Sequence, residues 1–184
     1  MVVDAEEYRR LVSRASAASA ASTRAQSLQA LQLKFDAHLA AVTEGHDDAF
    51  ETTLGATTIP PLLREACDQH TVAVWFCGLS TAQLHLERVE ARVAAGGHAI
   101  REHKIHERYE ASRANLITLL PHLAVLHVYD NSAPADAAGQ AEPLLVLELD
   151  RAGLHYPATL EALAQVPDWA KPIVMAALET RSAS

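Results

Sequence analysis

Glycine is scarce in this chain, with seven in 184 residues, and lysine is scarcer still: Lys34, Lys104 and Lys171 only. No lysine follows a glycine, so the phosphate-cradling pattern GxxxxGK[ST] is absent. GxGxxG and GxSxG are missing too, which leaves no dinucleotide fingerprint and no Ser-His-Asp elbow. Cysteine is limited to Cys67 and Cys77, which form neither a disulfide framework nor a zinc spacing. Both read as small buried residues of a protein kept in a reducing cytosol. No apolar run approaches the ~18 residues a membrane span needs. The first ten residues, MVVDAEEYRR, are acidic before they are basic, the reverse of a signal peptide. These absences predict a cytoplasmic protein.

What is present suits one folded domain over 1–184. About half the residues are apolar (49%) and a fifth charged (21%), ordinary for a packed chain. A chain of this length buries roughly 70% of its unfolded surface. The formal charge of −8 disfavours nucleic acid and anionic membrane surfaces as partners, because polyanions are repelled on average. The cations nevertheless gather between Arg88 and Arg113.

Short apolar runs read as strands at 49–54 (AFETTL), 71–79 (TVAVWFCGL), 123–130 (LAVLHVYD) and 143–150 (PLLVLELD), with Val2-Val3 a possible strand tail. Helical patterns lie between them at about 25–44, 58–69, 81–95, 102–119 and 158–179. Alternating strands and helices predict an α/β fold with a mostly parallel sheet. Strands covered on both faces should be nearly continuous apolar runs, as 72–77 and 123–128 are. ASAASAAS (15–22) is low-complexity, and NSAPADAAGQAE (131–142) reads as a surface loop. The last helix should pack through Trp169 and Met175.

The charged run from 81 to 119 carries the chemistry. Leu84, Leu86, Val89 and Val93 make the first helix amphipathic, and Arg88 and Arg92, four apart, share one of its faces. Gly96-Gly97 stops it, since glycine accepts the left-handed conformation of a helix end. The second helix carries Ile105, Tyr109 and Leu116 on one side and Arg101, Arg108 and Arg113 along its length. Two such helices with a Gly-Gly joint suit a lid that closes cations onto phosphates. They equally suit a solvated pair laced with contacts from Glu87, Glu90 and Glu107.

Glu51 and Thr53 stand at an expected strand end, where open α/β sheets bind ligands; the alternative is a threonine pair capping the next helix. Asp4 and Glu6 follow Val2-Val3, either as a general base or as an acidic first helical turn. His98, His103 and His106 lack a third ligand fixed by spacing, and HExxH is absent, so no metal site is expected.

Taken together, VVDAEEY (2–8), FETTLG (50–55), VAVWFCGL (72–79), ERVEARVAAGGHAI (87–100), IHERYEASRANL (105–116) and VYDNS (128–132) resemble the zeta-toxin family of P-loop kinases. The similarity runs from residue 2 to about 178 and is closest to the branch described as predicted ABC-type ATPases. Its most specific part is R-x-x-x-R-x-x-x-G-G-H followed by R-Y-x-x-S. The resemblance implies a P-loop-kinase-like sheet flanked by helices, with a helical lid at 81–119. It also implies an ATP- and Mg2+-dependent phosphotransferase acting on a hydroxyl of a UDP-linked amino sugar. Glu51 and Thr53 would hold that acceptor, and Arg88 and Arg92 would face the phosphates. His98 and Arg108 would belong to the lid, and Asp130 and Asn131 would lie near the nucleotide base. Glu6 aligns best with the family's general base, Asp4 being the other candidate.

The family's first, central strand, its glycine-rich loop and the loop's lysine have no counterpart here. Three readings follow: a kinase whose front precedes Met1, a non-catalytic binding or regulatory module, or an enzyme active through another arrangement. An antitoxin and a second copy of the chain are the implied protein partners.

Overall fold

A computed structural model describes residues 36–40, 43–134 and 142–182. The chain divides into two compact units, Met1–Thr52 and Thr53–Ser184. In the first, residues 36–40 and 43–44 are helical. His38 Nδ1 lies 2.6 Å from Asp48 Oδ2, and its ring stacks on Phe50 at 4.0 Å. The strand expected at 49–54 is absent, since these residues form neither helix nor strand. Phe50 instead spends its ring on an imidazole. Val2-Val3, ASAASAAS and most of the run 25–44 lie outside the described residues.

The second unit is α/β. Its elements are α1 (Ile59–Gln69), β1 (Ala73–Gly78), α2 (Ala82–Ala94), α3 (Glu102–Leu119), a 3-10 turn (Leu120–His122), β2 (Val125–Asp130), β3 (Leu144–Asp150), β4 (Gly153–Tyr156), α4 (Leu160–Ala164) and α5 (Lys171–Ser182). Among the described residues the sheet has the order β1-β2-β3-β4. β1 and β2 are parallel, with Ala73 opposite Val125 and Gly78 opposite Asp130. β2–β3 and β3–β4 are antiparallel. The sheet is therefore mixed, not mostly parallel. Helices α2 and α3 supply the crossover a parallel pair needs, whereas β3 and β4 are joined by a tight turn, which reverses the chain. Asp150 Oδ1 holds that turn by accepting from the amides of Ala152 (2.7 Å) and Gly153 (3.2 Å). Strand β4 sits in a stretch left unassigned by pattern.

One face of the sheet forms the core. Leu126, Val128, Leu147 and Leu149 pack there against Leu116 and Leu119 of α3 and Ile173, Val174 and Ala177 of α5. The other face is half-buried and polar-aromatic. His127 lies edge-on to Trp75 and Tyr129 and 3.8 Å from Glu148.

The helix expected over 158–179 is broken. Pro167 disfavours helix at the residue before it and cannot donate an amide bond, so α4 and α5 are separate. Trp169 falls in the break and is buried, while Met175 is 54% exposed instead of packed. Cys77 is exposed and Cys67 only partly buried, against the expectation of two buried thiols. Burial raises the Cys67 thiol above its ordinary value, opposed by the neighbouring Arg64 and reinforced by Asp68. Among the described residues no helix is long and apolar enough to cross a membrane.

Trp169 closes the core over the end of β1. A Cβ on Gly78 would stand 2.2 Å from its ring. Gly78→Ala should therefore destabilise the second unit by about 1–3 kcal/mol through overpacking, read as a lowered denaturant midpoint at unchanged slope.

Candidate functional site

The carboxyl ends of the parallel strands β1 and β2 lie side by side, the position at which open α/β sheets bind ligands. The Asn131 amide donates to the Gly78 carbonyl at 2.9 Å, extending the pairing past both strands. The Ser80 amide donates to Ser132 Oγ at 2.7 Å. Asp130 Oδ1 accepts from the Ser132 amide at 2.9 Å and from the Ser132 hydroxyl. Ser132 thus receives from one strand end and donates to the other. The Asn131 side-chain oxygen is buried and has no hydrogen-bond partner among the described residues.

Two helices border this clasp. Helix α2 begins at Thr81, whose hydroxyl accepts from the Leu84 amide at 3.0 Å, so its first turn starts where β1 ends. Arg88, two turns along, donates from Nη2 to the Ala133 carbonyl at 3.1 Å. Its other N–H groups have no acceptor among the described residues. From α3, the Tyr109 hydroxyl lies 2.9 Å from the Ser80 carbonyl and 3.2 Å from that of Leu79, and its one proton serves these two acceptors. The Arg113 guanidinium covers the Tyr109 ring at 4.3 Å. Arg113 also donates to the carbonyls of Tyr109 (3.2 Å) and Trp169 (3.4 Å) and pairs with Glu110 at 2.5 Å. Burial pushes the Tyr109 phenol up, opposed by Arg113 and reinforced by Glu110 and Asp130. The His85 ring lies 6.0 Å from that of Tyr109, edge to face.

The glycine pair is a hydrogen-bonded stop. Gly96 has φ +91°, and its amide donates to the Val93 carbonyl at 2.9 Å. The Gly97 amide reaches back to the Arg92 carbonyl, also at 2.9 Å. These are the two bonds of a Schellman termination. A Cβ on Gly97 would stand 2.7 Å from Arg92 Cγ. Helix termination was expected here and is found, with both glycines taking part in it.

The other sequence-derived residues are distributed as follows. Arg92 and His98 are exposed at and beyond the end of α2. Arg108 is exposed on α3, its stem against Gly55. Thr53 is exposed in the second unit and Glu51 exposed in the first. Asp4 and Glu6 lie outside the described residues. The strand ends thus bring together Arg88, Asp130 and Asn131, and a separate turn joins Arg108 to the segment containing Thr53. Among the described residues no group of three His, Cys, Asp or Glu is placed to hold a metal ion.

Ser80, His85, Tyr109, Arg113 and Ser132 were not singled out as site residues by pattern. The signals available were the i,i+4 spacing of Tyr109 and Arg113 and the place of Tyr109 in the R-Y-x-x-S motif. Comparison with family models, with curated proteins and with solved structures finds no match to this chain.

Two measurements check this geometry. Tyr109→Phe should lower stability by about 0.5–1.5 kcal/mol, the net worth of one hydrogen bond, in urea titration. Burial, and then Arg88, hold the His85 imidazole below its ordinary value of 6.5. Below 6.5 the unfolded chain therefore binds the extra proton and the folded one resists it. The stability that neutral His85 contributes is fully present above this value and is lost as pH falls. His85→Gln should flatten the decline of stability below pH ~6.5, and the proton titration of His85 in the folded protein should have its midpoint below that of the unfolded chain.

Proposed function

We propose that the β1/β2 strand ends grip the phosphates of a nucleotide, in a chain of zeta-toxin-like, ATP-dependent phosphotransferase type. The observation that carries the reading is Arg88, a partly buried residue whose guanidinium donates to the Ala133 carbonyl, three residues past the end of β2, and has N–H groups without an acceptor among the described residues. A planar fork of donors at that position suits a phosphate oxygen pair, and charge-assisted bonds of this kind are the strong ones. Arg92, on the same face and exposed, adds positive potential. Arg113 is already committed to Tyr109, Trp169 and Glu110 and acts as a strut. The motif resemblance adds a UDP-linked amino sugar as acceptor, with Thr53 on the acceptor side, Asp130 and Asn131 on the base side, and an antitoxin or a second copy as protein partner.

Phosphoryl transfer depends on positioning and charge stabilisation of the β and γ phosphates, ordinarily by a backbone N–H nest, a lysine and a bound magnesium ion. This sequence has no GxxxxGK[ST], and the described site offers arginines in its place. That favours the second reading for these 184 residues: a nucleotide or sugar-nucleotide binding module without transfer.

The test is calorimetric titration of the purified chain with MgATP, paired with a phosphoryl-transfer assay. Binding should be weak but measurable, weaker by about tenfold or more in Arg88→Ala, and only partly restored by Arg88→Lys because the fork is lost. No transfer to a UDP-linked amino sugar is expected. Unchanged ATP affinity in Arg88→Ala rejects the phosphate assignment.

A further inference from the structure

Leu54 is a leucine in a conformation that suits glycine. Its φ is +53°, in the left-handed region, where a Cβ crowds the following carbonyl. Its side chain is 4% exposed, so the residue is anchored in the core by burial. Two features of α3 hold the turn around it. Asn115 Nδ2 donates to the Leu54 carbonyl at 2.7 Å and lies 3.4 Å from that of Ala56. Gly55 is so close to the same helix that a Cβ on it would stand 2.9 Å from Arg108 Cα. Arg108 and Asn115 are seven residues apart, two helical turns, and so lie on one face of α3. Strained residues persist when their surroundings over-determine them, and they cluster where a site needs a group held in place.

We propose that Asn115 is a positioning residue for the acceptor side of the site. By holding the Leu54 carbonyl it fixes the turn that presents exposed Thr53 next to the contact between Gly55 and Arg108. The proposal rests on the reading of Thr53 as an acceptor contact. It assigns to Asn115 a duty distinct from that of Tyr109 and Arg113, which face the strand ends from the same helix.

The experiment titrates the full chain separately with MgATP and with a UDP-linked amino sugar, for the parent, Thr53→Ala, Asn115→Ala and Asn115→Asp. Asn115→Asp keeps the shape and removes the donor. Both Asn115 variants should weaken the sugar nucleotide about tenfold, as Thr53→Ala does, while ATP affinity stays within about twofold. If Thr53→Ala weakens the sugar nucleotide and the Asn115 variants do not, the positioning role is overturned and the functional reading stands. Parallel loss of both ligands together with a fall in thermal midpoint makes Asn115 merely structural and also overturns it. A parent chain that does not take up the sugar nucleotide, or a Thr53→Ala chain that takes it up normally, rejects the acceptor reading of Thr53 and this proposal with it, while the phosphate assignment is judged separately by the effect of Arg88→Ala on MgATP.

Discussion

The Tyr109 hydroxyl, set against the Leu79 and Ser80 carbonyls under the Arg113 guanidinium, is the contact on which the candidate site depends. A strand end leaves carbonyls without ladder partners, and buried or half-buried polar groups are costly unless they are met. Tyr109 meets two of them from the side of a helix. Arg113 then fixes the ring from above and ties it to Trp169, whose own ring closes the core over Gly78. Helix α3, the last turn of β1 and the break between α4 and α5 are thereby held as one assembly. The Ser80–Ser132–Asp130 clasp joins this assembly through Ser80, whose carbonyl meets Tyr109 and whose amide donates to Ser132.

That anchoring limits which part of the charged run can move. Ile105, Leu116 and Leu119 of α3 are in the core, its Tyr109 and Arg113 are tied to the strand ends, and its Asn115 is tied to the turn at Leu54. Helix α2 has no fully buried residue. Local opening is drawn from elements with few buried apolar contacts. Among the described residues α2 is therefore the less deeply anchored of the two helices and α3 the more deeply anchored. The Gly96-Gly97 pair serves this arrangement as a closed helix end.

Much of the second unit was legible in the sequence. The alternation of short β-branched runs with amphipathic segments located three of its four strands and helices α1, α2 and α3 to within a few residues, because their side-chain periods differ. The apolar pattern over 158–179 runs through Pro167, where the chain breaks into two helices. β4 was missed because a four-residue strand carries too little periodicity, although DRAG before it is a turn signal. Phe50 and the threonines after it looked like a strand because propensity cannot report that the ring stacks on His38. Of the residues expected from motif and position, Asp130 and Asn131 lie at the end of β2, and Arg88 reaches the Ala133 carbonyl beyond it. Tyr109 was misjudged because one residue can serve both the apolar side of a helix and a polar contact at its tip.

The sequence by itself determined the α/β class, the placement of the main helices, the Gly-Gly helix stop and the absence of GxxxxGK[ST] from these 184 residues. These follow from local rules: side-chain period, the freedom of glycine, and the presence or absence of a contiguous motif. Only the tertiary structure decided that the sheet is mixed, that Tyr109 and Arg113 of α3 bond to carbonyls beyond β1 and at Trp169, and that Leu54 adopts a left-handed backbone under the amide of Asn115. Each of these depends on groups distant along the chain, Leu54 and Asn115 being 61 residues apart. No local pattern records which carbonyl a side chain will meet after folding.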